Sequence, residues 1–203
     1  MMRKTTLVVL VVVALLFGSA FAQKARYVID PVHSTVGFAV SHMVISKVQG
    51  KFNEYDVVLW VDEKDFTNSS VEAHIKTASI DTDNPKRDGH LKSADFLDAE
   101  QYPEIVFRSE RIEKTDDGYV AHGKLTIRGV TRDVALPFTV TGPIQDPWGN
   151  TRLGVEAHLT IDRFDYDVKW NKLLETGQLV VGREIDINIH AEFVKAKAEA
   201  STQ

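Results

Sequence analysis

Hydrophobic and polar residues alternate along most of the chain after residue 30. The clearest example is the stretch 155–161, in which every second side chain is apolar and the intervening ones are Glu156, His158 and Thr160. A repeat of two places the apolar side chains on one face of a β-strand. The pattern predicts roughly eight strands, and the apolar sets that define six of them are Val36, Phe38, Val40; Val57, Leu59, Val61; Val71, Ala73, Ile75; Val134, Leu136, Phe138, Val140; Val155, Ala157, Leu159, Ile161; and Ile185, Ile187, Ile189.

Short turn motifs separate several of these strands. Asp116-Asp117-Gly118, Arg128-Gly129 and the segment 146–150 (Asp-Pro-Trp-Gly-Asn) are each rich in residues that favour tight turns. Closely spaced strands joined by hairpin turns are typical of an antiparallel sandwich or barrel. The fold class predicted from the pattern is therefore all-β.

Two segments break the alternation. Asn84 can cap a short helix that starts with Pro85 and runs to Ser93, with Leu91 directed inward. An apolar, irregular connection follows it, and a second irregular stretch spans residues 163–182. Such long apolar loops beside a barrel either act as lids or plug one end as additional core, and the pattern leaves both interpretations open.

The first 22 residues have the features of an export signal. Arg3 and Lys4 precede an apolar run from Leu7 to Phe17, and the segment ends in Ala20-Phe21-Ala22. A charged start, a short apolar run and small residues at the cleavage position predict a signal peptide cut after Ala22. The remaining chain is then one domain over residues 23–195, followed by a flexible tail over residues 196–203.

Charge and cysteine content exclude several classes of function. The whole chain carries a formal net charge of −5, and loss of the two cations in residues 1–22 leaves 22 basic and 29 acidic residues, or −7. No basic block is present, so nucleic acid is not an expected partner. The absence of cysteine excludes disulfides, thiol catalysis and cysteine-based metal sites.

Candidate catalytic and metal-binding groups are few. The seven histidines include no pair two apart on a strand or four apart on a helix, so we expect no metal site. Two clusters contain the residue types of a hydrolytic triad, but neighbouring residues on a strand point to opposite faces and no G-x-S-x-G motif is present. We therefore expect no catalytic residues; the two clusters are Asp30, His33, Ser34 and Asp88, His90, Ser93.

Four stretches of the chain carry distinctive motifs. They lie at 27–52 (YVIDPVHSTVGF, then VSH and GKF), 87–109 (RDGHLKSADFLD, then YPEIVFRS), 123–131 (GKLTIRGVT) and 181–187 (VGREIDI). In their order and spacing they resemble the YceI-like family of exported polyisoprenoid-binding proteins, and the resemblance covers roughly residues 27–193. Asp167 departs from the pattern, because a small residue or glycine is expected after the turn that contains Arg163.

The resemblance implies an antiparallel, eight-stranded, lipocalin-like barrel with a short helix and long loops closing one end. It also implies a central apolar tunnel for a polyisoprenoid, an isoprenoid quinone or a similar long amphiphile, a periplasmic location, no other cofactor and no catalytic residue set. Pattern alone is less decisive, because an eight-stranded barrel either fills itself with side chains or holds one small ligand.

Strand alternation and the apolar loops supply the candidate binding residues. We expect the tunnel to be lined by Val36, Phe38, Val40, Leu59, Phe107, Leu125, Ile127, Phe138, Leu159, Ile161, Phe164, Trp170 and Ile187. His33, Arg87 and His90 are candidates for contacting a polar head group at a mouth. The alternatives are a ligand-free interaction module with a filled barrel and an enzyme that acts on a lipid.

Trp60 is out of register with the apolar set around it, so we expect it on the outer face. Together with an exposed sheet edge, it is a candidate contact for a homodimer.

Overall fold

The computed structural model describes residues 24–197. The predicted signal peptide and all but the first two residues of the predicted tail lie outside this range. The described chain forms ten antiparallel strands and one α-helix, in the order β1 (Ala25–His42), β2 (Ser46–Phe52), β3 (Tyr55–Val61), β4 (Ser70–Lys76), β5 (Ile80–Asp81), α1 (Pro85–Lys92), β6 (Glu104–Thr115), β7 (Gly118–Ile127), β8 (Val130–Gln145), β9 (Thr151–Asp162) and β10 (Val181–Lys195).

Eight of the ten strands close into a barrel. Around the barrel the order is β1, β3, β4, β6, β7, β8, β9 and β10, and β10 pairs with β1 to complete the circle. In that closing pair Val36 lies opposite Ile189 and Phe38 lies opposite Ile187. The predicted eight-stranded antiparallel barrel is confirmed.

The two remaining strands are an addition to β1. The first residues of β1, Ala25 to Val28, pair with β3, whereas residues 36–42 pair with β2. β2 then pairs with the two-residue strand β5. The 18-residue length of β1 thus lets one strand serve two neighbours on the same side.

The connections at the two ends of the barrel differ in length. At one end, the hairpin end, β6 joins β7 through residues 116–117 and β8 joins β9 through residues 146–150. At the other end, the lid end, lie α1, residues 93–103 and residues 163–180. The turns predicted from the sequence are confirmed, and both long apolar loops close the same end.

Helix α1 forms where its capping residues predict it. The Asn84 side chain accepts a hydrogen bond from the Arg87 backbone N–H at 3.0 Å, and Pro85 begins the helix. The helix ends at Lys92, one residue before the predicted end. Within residues 24–197, no helix is long and apolar enough to cross a membrane.

The inward positions of the alternating strands form the core. Val57, Leu59 and Val61 are buried, whereas Trp60 is only half-buried and faces outward, as its register predicts. Tyr27 and Phe193 are 1% and 2% exposed and anchor the packing toward the hairpin end. Burial of this apolar area is the main stabilising contribution in a chain without disulfides.

Gly123 and Gly89 offer a matched test of this packing. A Cβ atom at Gly123 would lie 2.2 Å from the Arg108 carbonyl oxygen, beside the irregularity in the β6–β7 pairing, whereas a Cβ at Gly89 would meet nothing within 4 Å. We expect Gly123→Ala to lower the free energy of unfolding by about 1–3 kcal/mol, as overpacking does. Gly89→Ala lies in α1 and should raise it by up to about 1 kcal/mol. Urea denaturation measures both, and equal effects would contradict this packing.

Candidate functional site: an apolar cavity in the barrel

A cavity of about 260 Å³ lies inside the barrel. A cavity that holds one water needs only about 10–15 Å³ on the same scale. Every barrel strand contributes side chains to the wall, and the lid contributes Leu91, Phe96, Leu97, Tyr166 and Val168. The barrel is therefore hollow along much of its length.

The wall is almost entirely hydrocarbon. Among residues 24–197, only four that line the cavity carry polar side-chain groups: Ser69 and Ser70 near the start of β4, and Arg163 and Tyr166 in the lid. An elongated apolar space with polar groups confined to its ends suits the tail of an amphiphile rather than a polar metabolite.

The wall is not equally well packed all round. Inward side chains of β3, β6 and β7 such as Leu59, Phe107 and Leu125 are buried, whereas those of β9 and β10 such as Leu159 and Ile187 are only half-buried. The latter two point into the barrel, so the surface they leave accessible faces the cavity. Inward side chains of β1 and β4, such as Phe38 and Val71, are half-buried too, so the cavity borders more than one side of the barrel.

Three aromatic rings close the hairpin end. Phe66 lies 5.0 Å from Tyr119 and 6.1 Å from Phe138, and Tyr119 lies 5.5 Å from Phe138, measured between ring centroids. Aromatic clusters with these spacings are favourable beyond the area that they bury. Phe66 comes from a single 3₁₀ turn between β3 and β4, so this plug depends on a short connection.

A second aromatic cluster lies in the lid. The rings of His90 and Phe96 are 4.9 Å apart, those of His90 and Trp170 are 5.4 Å apart, and those of Phe96 and Trp170 are 5.1 Å apart. Through these contacts α1 and its following loop pack against the second long loop. The two segments therefore form one lid rather than two independent flaps.

Arg163 fixes the second lid loop to the barrel. Its guanidinium donates hydrogen bonds to the backbone carbonyls of Gly182, Val168, Trp170 and Val181 at 2.8, 2.6, 2.9 and 3.1 Å. The residue is 4% exposed, and burial lowers the pKa of its guanidinium. We call this arrangement the Arg163 clamp; it leaves a cation in the wall of an apolar cavity.

Asp167, which departs from the family pattern, adopts the conformation that a glycine would favour. It ends the 3₁₀ turn of residues 163–166 with φ 57° and ψ 18°, in the left-handed region. Aspartate tolerates this region better than most residues because its short polar side chain bonds locally. Here the carboxylate accepts a hydrogen bond from Lys169 at 2.5 Å.

Eleven of the thirteen predicted lining residues border the cavity: Val36, Phe38, Val40, Leu59, Phe107, Leu125, Ile127, Phe138, Leu159, Ile161 and Ile187. Phe164 and Trp170 are not among the residues that border it. The Phe164 ring instead packs under the guanidinium groups of Arg163 and Arg183, at 4.7 and 4.8 Å. The Trp170 ring packs against the rings of His90 and Phe96 in the lid.

Several lining residues were missed by the sequence reasoning. Ile185 and Ile189 belong to the same alternating set as Ile187, so the strand pattern could have found them. Arg163, Tyr166 and Val168 also border the cavity, but they lie in or beside a 3₁₀ turn where no period assigns a direction to a side chain.

The candidate head-group residues do not converge. Arg87 donates to the Thr82 hydroxyl and carbonyl oxygens at 2.7 and 2.6 Å, which ties α1 to β5. His90 bonds Asp95 at 2.8 Å and packs in the lid cluster. Neither borders the cavity, although both lie at its lid end.

His33 is far from the other two candidates, near the hairpin end and on the outside of the barrel. Its Nδ1 lies 3.1 Å from Asp30, and Asp30 accepts a hydrogen bond from Arg152 at 2.8 Å. Arg152 also donates to Asp146 at 2.7 Å and to Glu192 at 2.6 Å. We call these four charged residues, Asp30, Asp146, Arg152 and Glu192, the Arg152 cluster.

Two carboxyl groups of the Arg152 cluster have lowered pKa values. Hydrogen bonds from Arg152 and His33 lower the pKa of Asp30 to about 2, and the Arg152 bond likewise lowers the pKa of Asp146. Asp30, His33 and Glu192 are also the one group in residues 24–197 with metal-ligand spacing. The guanidinium, however, already lies between the two carboxylates.

The two triad-like clusters are held in other interactions. Ser34 bonds the Glu192 backbone, while His33 bonds Asp30. In the second cluster Asp88 accepts from the Thr82 backbone and hydroxyl, and Ser93 donates to the His90 carbonyl oxygen. Neither serine contacts its histidine ring as a nucleophile would contact a base.

The chain is similar in sequence to a known family of proteins. A family model described as the YceI-like domain matches residues 27–193. The Escherichia coli protein YceI is 35% identical over 196 residues, which cover 96% of this chain and all of that protein.

Two solved structures share the fold. Burkholderia cenocepacia BcnA matches with a TM-score of 0.71 and 24% identity, over 81% of this chain and 98% of that one. A polyisoprenoid binding domain from Saccharophagus degradans matches with a TM-score of 0.64 and 14% identity, over 85% of this chain and all of that domain.

The Arg152 cluster generates a prediction about pH. Arg152→Met leaves three carboxylates without their shared cation, so we expect a clear loss of stability at about neutral pH. Because the pKa of Asp30 is lowered, the stabilisation is complete above its ordinary value near 3.8 and is lost as the pH falls through about 2. The difference between wild type and variant in urea denaturation should therefore shrink between about pH 4 and pH 2.

Lys124→Met is the matched control, because Lys124 pairs at 2.6 Å with Asp133, whose side chain is 81% exposed. Exposed pairs contribute little. We expect an effect several times smaller than that of Arg152→Met, and similar effects would show that the cluster has no special role.

Proposed function

Because the chain belongs to the YceI-like family, we propose that it is a periplasmic carrier or sequestering protein that holds the apolar tail of a polyisoprenoid-type lipid in its barrel. A long polyprenyl compound or an isoprenoid quinone is the ligand class. The observation that carries the proposal is the cavity of about 260 Å³ with its almost wholly apolar wall.

Burial of hydrocarbon would supply most of the affinity. Each Å² of apolar surface removed from water contributes about 25 cal/mol, so a long chain would bind with few polar contacts. Medium-sized side chains such as Val134, Ala157 and Ile187 border the space, which keeps it open. This non-directional attraction would select ligands by length and shape rather than by functional group.

The comparisons support the same ligand class. The Saccharophagus degradans domain with this fold is a polyisoprenoid binding domain. Residues 1–22 have the pattern of an export signal, which supports a periplasmic location. The cavity favours the carrier function over an interaction module with a filled barrel, and the dispersed triad residues favour binding over catalysis.

We place the head group at the lid end. The hairpin end is closed by the rings of Phe66, Tyr119 and Phe138, whereas the lid end holds Arg163, the charged residue among those that line the cavity. The tail would then extend toward the hairpin end.

Native mass spectrometry of the protein produced through its own export route tests the proposal. We expect a stoichiometric long-chain lipid or quinone, which solvent extraction would identify. A mass equal to the bare polypeptide, together with no uptake of an added long polyprenol, would overturn the carrier function.

Filling the cavity should abolish this binding. Ala157 borders the cavity on β9, whereas Ala135 lies on β8 with an exposed, outward side chain. We expect Ala157→Phe to reduce retention of an added long polyprenol by about ten-fold or more, since the ring would occupy the space of the tail. Ala135→Phe should leave retention unchanged, with folding of both variants checked by circular dichroism. Equal retention would place the ligand elsewhere.

A further inference from the structure

Large apolar side chains that are exposed gather at both ends of the barrel. At the lid end they are Met43, Val44 and Ile45, in the turn between β1 and β2, and Leu173. We call these four residues the docking tip. Near the hairpin end they are Val32, Ile144 and Trp148.

Two residues of the docking tip adopt backbone conformations that are unfavourable for their side chains. Met43 and Val44 have φ of 50° and 63°, and the Ile45 N–H donates to the His42 carbonyl oxygen at 3.2 Å. A turn with positive φ at both central residues favours Asn-Gly, and valine in this region is a strong outlier. The sequence thus keeps an exposed, β-branched side chain where a polar turn would be less strained.

The docking tip is continuous with the lid end of the cavity. The Met43 N–H donates to the Val180 carbonyl oxygen at 2.8 Å, which joins the turn to the loop that carries Leu173. That loop folds back on itself through a bridge between Leu173 and Leu179. Val40 and Val181, within three residues of these contacts, line the cavity.

Charge distinguishes the two exposed groups. Acidic and basic residues are balanced around the docking tip, where Lys47 pairs with Asp186 and where Lys172 and Glu175 lie on either side of Leu173. Lys51 is farther along β2 and lies opposite Asp81. The group near the hairpin end instead adjoins the Arg152 cluster, which has three carboxylates and one guanidinium.

We propose that the docking tip inserts into the surface of a lipid bilayer, so that a lipid passes between the membrane and the lid end of the cavity. The lipid transfer in this proposal rests on the proposed function, whereas the docking itself does not. Exposed apolar side chains with little net charge around them suit a membrane interface, where burial of apolar area supplies the binding free energy, and the acidic surroundings of the other exposed group do not.

Vesicle flotation tests the docking. The probes are vesicles of phosphatidylethanolamine and phosphatidylglycerol, with phosphatidylcholine vesicles for comparison. We expect the protein to float with both kinds of vesicle, and Val44→Asp with Ile45→Asp to reduce the bound fraction by about ten-fold. Val32→Asp is the matched control because Val32 and Ile45 are both 83% exposed. Equal loss in both variants, or no vesicle binding by wild type, would overturn the proposal.

The Val44→Gly variant tests whether vesicle binding can be weakened without loss of stability. Glycine adopts a positive φ without strain, so the variant should unfold at the same or a higher urea concentration than wild type. It should nevertheless bind anionic vesicles several-fold more weakly. Unchanged vesicle binding by this variant would remove Val44 from the docking surface.

Delivery of the ligand by two routes distinguishes failure of docking from failure of the proposed function. A long polyprenol added from solvent should bind wild type and the Val44→Asp, Ile45→Asp variant equally, whereas uptake from preloaded vesicles should be slowed in the variant alone. If wild type and the variant take up polyprenol from preloaded vesicles at the same rate, the docking proposal is overturned. Vesicle binding without any polyprenol uptake overturns the carrier function and lipid transfer but leaves the docking intact.

Discussion

The pairing of β10 with β1 is the contact on which the whole molecule depends. It joins the last strand to the first, so that each of the eight barrel strands has a hydrogen-bonded neighbour on both sides. Closure also fixes the radius of the barrel, since eight strands enclose just enough room for side chains or for one narrow ligand. In this chain the inward residues of β8 to β10 are mostly Val, Ala, Leu and Ile, and the remainder of that room stays open.

The two ends of the closed barrel differ in their structural features. The hairpin end is built from short turns and sealed by three aromatic rings, and it carries the Arg152 cluster on its outer side. The lid end is built from long segments and contains the buried cation, the aromatic contacts between the two lid segments and the exposed docking tip. The stabilising polar network and the proposed entrance therefore lie at opposite ends, so that opening one need not disturb the other.

The alternation of apolar and polar side chains predicted the strands and their inward faces. It gave no direction for side chains in the irregular loops. Strands such as 155–161 assign each residue to a face, which explains why eleven lining residues were found. Helix α1 was also predictable, because Asn84 and Pro85 are specific signals for a helix start. Phe164 and Trp170 lie in a loop with no period, and their directions follow from Arg163, Arg183 and Phe96, which approach from elsewhere in the chain. Neither the size of the cavity nor the separation of His33 from His90 could be read from local pattern.

The Arg163 clamp has a consequence for timing. One guanidinium holds carbonyl groups on both sides of residues 171–180, so the two ends of this segment cannot leave the barrel one hydrogen bond at a time without leaving a buried cation poorly solvated. Release of these two ends is therefore expected to be all-or-none, with a closed state separated from an open state by a distinct barrier. A lipid enclosed behind this segment would have a residence time set by the rate at which the segment opens, whatever the length of its hydrocarbon chain.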